Sequence, residues 1–507
     1  MIIKVLFTNP PVTVKEEDYF EGMSFMPPLG LAYLAAVASA AGHEAAIVDC
    51  VGMSPMKVEK GQGVCRCGLG DTEILEEVRH FAPDLVGITC PYTANAPDAL
   101  SVAELVKTGY SDEVPVVMGG AHASVCPEEL LMSGWVDFVV VGEGEGAFID
   151  ICSSLAAGRV PLDVPGVLGR GPDGQVTSLL ARERIKDLDA IPYPRRDLIP
   201  LREYFKAQEA HAERINNMRR PKTSMITSRG CPENCVFCAI RCTWGRKWVG
   251  RSPLNIVGEI ESLVSEYGVR EIDFLDDSLS VSRARLEELC KLIIERGLDI
   301  KWTTPNGIAI WSLDEKLLLL MKKAGCYRLT FGLESGDPET IKFIRKRYTN
   351  DQAMRLIRYS NRIGLWTIGT FILGFPYETR EQMQNTIEFA MKCGVDLAVF
   401  YCATPFPGTD LYQVCLDEGI EVPRASSLML SSVGSVNLDE GEIARVREEA
   451  NSRFVANMVK RPWKPLSKIR NLEDLRYVIR VVGFGWNLRR KSAKDRSTTS
   501  FLYSSEE

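Results

Sequence analysis

The sequence predicts an α/β protein in two parts. The first is an N-terminal doubly wound parallel-sheet (Rossmann-like) domain. The second is a six-unit partial (β/α) barrel followed by a helical C-terminal region. Three observations carry this prediction. Short, near-continuous apolar runs alternate with amphipathic stretches from residue 1 to about residue 155. The same rhythm returns from Lys222 to about Tyr412. Between them, just after the first strand of the second part, stand three closely spaced cysteines, Cys231, Cys235 and Cys238.

In the first part, apolar runs at Ile3–Asn9, Ala45–Asp49, Asp84–Cys90, Val114–Gly119 and Asp137–Gly142 read as strands. Helical patterns at Pro28–Ala41, Thr72–Phe81, Ala96–Thr108 and Pro127–Ser133, and one from Gly146, separate and follow them. Strands that are apolar at nearly every position belong to parallel sheets covered on both faces. Ligands of such sheets sit beyond the carboxyl ends of the strands. Here those ends carry Asn9-Pro10-Pro11, Thr89, Gly119-Gly120-Ala-His122 and Gly142-Glu143-Gly-Glu145. Residues 156–221 read as a connector, with a hairpin expected at Pro165–Gly174 and prolines at Ile191-Pro-Tyr-Pro194.

In the second part, strands are expected at Ser224–Ser228, Glu271–Asp276, Ile300–Thr304, Arg328–Leu333, Thr367–Leu373 and Leu397–Cys402. Six such units fall short of the eight of a closed barrel. The remainder, 413–490, reads as helical with basic clusters at Lys460–Lys464 and Arg489–Ser492, and 491–507 as a Ser/Thr-rich disordered tail.

Composition narrows the function classes. At 507 residues the chain is long for one domain. A net charge of −7 argues against a general nucleic-acid binder. The opening Met1-Ile-Ile-Lys-Val-Leu-Phe reads as a strand rather than a leader, and the longest apolar stretch, Leu29 to Ala41, is too short to span a bilayer. A cytoplasmic protein is expected. Its 15 cysteines then read as reduced thiols rather than a disulfide framework. Most are scattered singly on apolar stretches, and Cys65 and Cys67 form a C-x-C pair that is either buried or a second metal site.

Three thiolates at the spacing Cys231-x-x-x-Cys235-x-x-Cys238 can hold one [4Fe–4S] cube. One iron then lacks a protein ligand and is open to substrate, the logic that separates catalytic from structural zinc. A zinc site with Cys242 as fourth ligand, and chance clustering, are the alternatives. The spacing resembles the signature of the radical S-adenosylmethionine (SAM) superfamily, in which the open iron chelates SAM. That resemblance implies that the backbone at Phe237 approaches the adenine. Where other members of that family carry a glycine-rich motif that holds the SAM ammonium, this chain has Phe274-Leu-Asp-Asp-Ser278, in which backbone carbonyls or Asp276 and Asp277 would hold it; a helix N-cap is the competing reading for Asp277. Glu334 and Ser335, in Gly332-Leu-Glu-Ser-Gly336, would bind the methionine amino group or the ribose hydroxyls. Gly374, in Gly369–Thr379, marks the adenine-side stretch, and Pro405–Thr409 would line the substrate mouth.

The first part, with Asn9-Pro-Pro, Pro27-Pro-Leu-Gly-Leu31, Gly119-Gly-x-His122 and Gly142-Glu-Gly-Glu145, resembles the cobalamin-binding domain fused ahead of many radical SAM cores. The candidate cobalamin residues are Asn9, Thr89, Gly119, Gly120, His122, Gly142 and Glu143. None of His43, His80, His122 and His211 has an aspartate two residues before it, so the lower-ligand histidine motif of other cobalamin proteins is absent. His122 would instead meet the corrin side chains or serve as a satisfied loop histidine.

The domains expected are thus 1–155 for cobalamin, 156–221 as connector, 222–412 as the radical SAM barrel, then 413–490 and 491–507. The family resemblance, over residues 1–412, implies three cofactors: a [4Fe–4S] cluster, SAM and cobalamin. It implies reductive cleavage of SAM to methionine and a 5′-deoxyadenosyl radical, hydrogen abstraction from an unactivated carbon, and methylation of a natural-product, lipid or cofactor precursor. A flavodoxin- or ferredoxin-like electron donor follows. Oxidative ring formation or contraction without methyl transfer, and a non-catalytic corrinoid or redox sensor, are the other readings. Trp463, Trp486 and the basic C-terminal stretch suit either a membrane-surface contact presenting a lipid or a helical lid with a solvated basic face.

Overall fold

Apolar β-branched runs build the first sheet. In the computed structural model, which describes residues 1–16, 26–171, 173–177, 180–210, 217–422 and 433–492, the N-terminal strands are β1 (Lys4–Asn9), β2 (Val12–Lys15), β3 (Glu44–Asp49), β4 (Val58–Gly61), β5 (Val64–Cys67), β6 (Leu85–Thr89), β7 (Val116–Gly119), β8 (Phe138–Val140) and β9 (Val167–Gly169). The main sheet has the order β3-β1-β6-β7-β8-β9, parallel except for β9. All five expected strands are present. The strand order reverses at β1 and β6, so the crevice beyond their carboxyl ends is the expected ligand position. The expected hairpin after residue 165 is β9 with the antiparallel bridge Arg170–Val176.

A second, three-stranded antiparallel sheet, β2-β5-β4, was not foreseen. It explains Cys65 and Cys67. Both sit on β5, at 0% and 1% exposure, as small apolar side chains in a strand too short to read from its period.

The second sheet is six parallel strands in sequential order: β10 (Lys222–Met225), β13 (Glu271–Phe274), β14 (Lys301–Ile308), β15 (Cys326–Glu334), β16 (Trp366–Leu373) and β17 (Leu397–Cys402). Helices Pro253–Tyr267, Arg283–Glu295, Glu315–Lys323, Asn350–Arg362 and Arg380–Cys393 alternate with them. The six-unit partial barrel is therefore present. Its expected first strand splits in two, because β11 (Ser228–Arg229) leaves β10 and pairs antiparallel with β12 (Val249–Gly250), closing the base of the cysteine loop.

The chain divides into two compact units. One is Met1–Ala207 with Arg241–Gly245; the other is Gln208–Ile240 with the chain from Arg246 onward. Most of the segment read as a connector belongs to the first unit.

Over its described part the C-terminal region is not a detached lid, while Lys460 and Arg461 of its basic cluster are exposed. Helix Glu440–Val459 buries Ile443, Val446, Ala450 and Phe454. Tyr477 and Val478 of helix Leu472–Ser492 pack with Met218, Tyr327 and Trp366. Lys464 and Lys468 both pair with Asp396, at 3.2 and 2.8 Å, and the Lys468 side chain is fully buried. The basic cluster thus clamps the chain just before β17. Trp463 is exposed, and the Trp486 side chain and the tail from 493 lie outside the described residues. No helix among the described residues is long and apolar enough to cross a membrane.

Candidate functional site

Glycine starts the cysteine loop. Gly230 has φ +83°, a conformation that side chains resist, and it turns the chain from β11 directly into Cys231. Its N–H donates to Asp277 Oδ2 at 3.1 Å. The strand end before it is held by Asp276, which accepts from Thr227 N at 3.2 Å, from Thr227 Oγ1 at 2.8 Å and from the Ser228 hydroxyl. Arg285 donates to the Thr227 carbonyl at 2.6 Å and to its hydroxyl at 2.7 Å. On the far side, Val236 is buried with Ile344, Phe375, Ala403 and Leu411, and its carbonyl accepts from Leu411 N at 2.9 Å. The loop is therefore anchored at both ends before any metal enters.

The three cysteines are half-buried, with no disulfide. Burial pushes the Cys231 thiol up to about 11, that of Cys238 to about 12 and that of Cys235 in the same direction. The negative charge of one raises its neighbours. Desolvated thiols grouped in this way ionise when cationic metal takes them. Three ligands on one loop fit a cluster with one iron left open.

Lys346 is the site residue that sequence reading missed. Its ammonium donates to Glu334 Oε1 at 2.9 Å and to the Gly332 carbonyl at 3.3 Å, and lies 5.8 Å from the Phe237 ring centroid. It is close enough to Cys235 to favour the thiolate. Glu334 also accepts from Thr370 Oγ1 at 3.3 Å. Its φ is +56°, and the β15–β16 register slips between Gly332 and Glu334. Lys346 stands 12 residues after Glu334, a separation at which no local pattern signals pairing.

The remaining strand-end calls divide. Phe237 packs 6.1 Å from Phe375, and Gly374 has φ +85° with its N–H on Glu378 Oε2 at 2.7 Å. Asp276 and Ser335 are buried and engaged within the protein. Asp276 is 2% exposed, with its carboxylate committed to Thr227 and Ser228. Ser335 is 0% exposed, its hydroxyl 2.8 Å from Thr386 Oγ1 and accepting from Asp337 N at 3.1 Å. Both hold the loops that carry their neighbours Asp277 and Glu334.

In the N-terminal unit, Thr89, Gly119, Gly120 and Gly142 end β6, β7 and β8 with part of their surface open. Gly120 has φ +126°, and a Cβ there would lie 2.4 Å from the Cys90 carbonyl. Beside Gly119 and Gly142, by contrast, the nearest atoms to an added Cβ are 3.9 and 3.8 Å away. A ledge of bare backbone is what a flat, bulky ring requires, so these residues fit a corrin. Ser124 joins the two glycine turns, donating to Gly120 O at 2.8 Å and accepting from Gly142 N at 3.0 Å. Three other candidates are engaged within the protein. Asn9 donates to Asp49 at 2.8 Å, within a buried clamp that Tyr204 completes. Glu143, buried, accepts from Ile185 N at 2.7 Å. His122 is 1% exposed, its Nδ1 3.2 Å from Thr93 Oγ1. His122 and Glu143 are thus enclosed, whereas Asn9 keeps part of its surface open.

Comparison with known proteins agrees with this division. The chain matches the B12 binding domain over residues 23–151 and the Radical SAM superfamily over 225–390. It is 36% identical over 420 residues to an uncharacterized methyltransferase of Pyrococcus horikoshii, covering 82% of this chain and 83% of that one. It is 31% identical over 495 residues to the cytidylyl-2-hydroxyethylphosphonate methyltransferase of Streptomyces wedmorensis, covering 89% and 90%. The fold is shared with the radical SAM methyltransferase TsrM of Kitasatospora setae, solved with cobalamin and a [4Fe–4S] cluster bound. There the TM-score is 0.68 at 17% identity, over 96% of this chain and all of that one.

Proposed function

Because the chain belongs to the cobalamin-dependent radical SAM enzymes, we propose that it is a C-methyltransferase acting on an unactivated carbon of a small molecule, a natural-product, lipid or cofactor precursor. The observation that carries this reading is similarity to a methyltransferase along 90% of that enzyme's length, both cofactor domains included. When bound, the cluster and SAM supply a hydrogen-abstracting radical and the corrinoid supplies the methyl group.

The chain's own residues have distinct tasks. Cys231, Cys235 and Cys238 hold the cluster. Asp277 sets the loop entry through Gly230 N–H. Lys346 and Glu334 place a fixed cation and anion beside Cys235 and Phe237, where the amino-acid end of SAM needs partners of both signs. Phe237 and Gly374 border the adenine. Asp276 and Ser335 position rather than touch. Thr89, Gly119, Gly120 and Gly142 form the corrin ledge. A flavodoxin- or ferredoxin-like donor supplies electrons, and the setting is cytoplasmic.

The test is anaerobic incubation of reconstituted enzyme with SAM, cobalamin and reductant, before any substrate is supplied. About one equivalent of S-adenosylhomocysteine per bound corrinoid is expected. 5′-Deoxyadenosine alone would replace methylation by oxidative cyclisation, and neither product would overturn the enzymatic reading.

A further inference from the structure

Just past β7, the chain brings together three metal-ligating groups that neither cofactor site uses. Helix Ala121–Val125 carries His122, Cys126 follows it, and helix Pro127–Met132 carries Glu129. The Cys126 N–H donates to the His122 carbonyl at 2.9 Å. That i, i+4 link puts both side chains on one face, and Glu129 comes three residues later. A ring nitrogen of His122, the Cys126 thiol and a Glu129 carboxylate oxygen all lie within 4.8 Å of one another.

The independent sign of a missing ligand is on the histidine. His122 is 1% exposed, and its Nδ1 is engaged by the Thr93 hydroxyl at 3.2 Å. Its Nε2 is buried without any hydrogen-bond partner. A buried imidazole normally satisfies both nitrogens. A histidine that binds metal through one nitrogen is oriented by an acceptor on the other, the part Thr93 can play. Cys126 is half-buried and Glu129 exposed, so an ion has a way in from the Glu129 side.

We propose that His122, Cys126 and Glu129 form a mononuclear site for a divalent transition-metal cation, with zinc the ion their donor set favours. One nitrogen, one sulfur and one carboxylate oxygen suit a borderline-soft ion, and water takes the fourth tetrahedral position. Zinc bond lengths put its donors about 3.6 Å apart, so the three groups need close only slightly. Binding releases the Cys126 thiol proton to solvent. Thiolate and carboxylate then balance the ion's two positive charges. Occupied, the site would tie the Gly120 turn to the segment after β6 that carries Thr93.

The test uses the full-length enzyme reconstituted with cluster and cobalamin, then exposed to zinc sulfate and desalted. Metal analysis is expected to find one zinc per chain with iron and cobalt unchanged. Zinc-edge X-ray absorption should report one sulfur at about 2.3 Å and nitrogen or oxygen at about 2.0–2.1 Å. Cys126→Ser and the exposed Glu129→Gln should each weaken zinc binding at least tenfold while retaining full iron and corrinoid content. That content also serves as the check on folding. Absence of zinc, equal retention by both variants, or a shell of three sulfurs, which would place the ion on the cluster cysteines, overturns the proposal.

Discussion

The two parallel sheets share one strand–helix grammar and differ in what their strands face. In the N-terminal sheet Val5, Leu6 and Phe7 of β1, Leu85 and Val86 of β6 and Val116–Met118 of β7 are buried in succession, because helices cover both faces. In the barrel, polar residues recur at every second position along β10, β13 and the middle of β15. Lys222 and Ser224 alternate along β10, Glu271 and Asp273 along β13, and Arg328 and Thr330 along β15, while Ile272, Phe274, Leu329 and Phe331 form the other, apolar face. Lys222 meets Asp273 at 2.9 Å, and Glu271 accepts from the Tyr327 hydroxyl, near the start of β15, at 2.8 Å. The open sheet leaves recognition to its edge, where glycines expose backbone. The curved sheet carries its candidate recognition groups, Glu334 and Lys346, at and beyond the end of β15.

If recognition is divided this way, damage to one region should leave the other's cofactor in place. Cys235→Ala is the largest expected break. 5′-Deoxyadenosine formation should fall to background and iron content should collapse, while corrinoid binding, followed by absorbance, stays at the wild-type level.

Lys346→Met comes next, since it strips Glu334 of its cation. The two side chains are 18% and 10% exposed, so a loss nearer about 2–3 kcal/mol than the full cost of breaking a buried pair is expected in urea unfolding. SAM cleavage should slow at least about tenfold, an effect worth about 1.4 kcal/mol. Lys346→Arg should recover part of both. Unchanged cleavage in the Met variant would remove Lys346 from the site.

Gly120→Ala probes the other region. A side chain at φ +126°, with its Cβ 2.4 Å from a carbonyl, forces the ledge to shift at a cost of about 1–3 kcal/mol. Corrinoid affinity should drop about tenfold, read by titration, with iron unaffected.

The smallest effect sharpens the picture of the enclosed face. Burial pushes Glu378 up to about 8, against an ordinary 4.5, despite N–H donation from Gly374 and Phe375. Between those values the native state keeps a proton that the unfolded chain has lost, so stability falls as pH rises from about 4.5 to about 8. The slope attributable to this group is at most about 1.4 kcal/mol per pH unit. Glu378→Gln should flatten the pH dependence of the urea midpoint across that window. An unaltered slope would assign it elsewhere, with Glu271, raised to about 7 by burial, the first candidate.

Much was legible because the signals are local. Apolar runs revealed all five N-terminal parallel strands and all six of the barrel, and glycines marked the turns at Gly120, Gly142 and Gly230. Cysteine spacing identified the cluster loop before any coordinates. What was missed depends on partners far away in sequence. In the β2-β5-β4 sheet, β2 pairs with β5 about 50 positions away, and the β4–β5 hairpin it joins is built of strands of only four residues, too short to show a period.

The sequence by itself placed the strands along the chain and pointed to the family and to the candidate cluster cysteines, because periodicity and spacing are read over a few residues. Tertiary structure decided which polar groups are free to act. Asp276 and Asp277 are indistinguishable neighbours in sequence, yet adjacent side chains of an extended chain diverge, and packing gave one to Thr227 and the other to the loop entry. Glu334 found Lys346, and Lys464 with Lys468 found Asp396, through long-range burial alone. A charge taken out of water must be paired, and where its partner lies is a property of the packed chain.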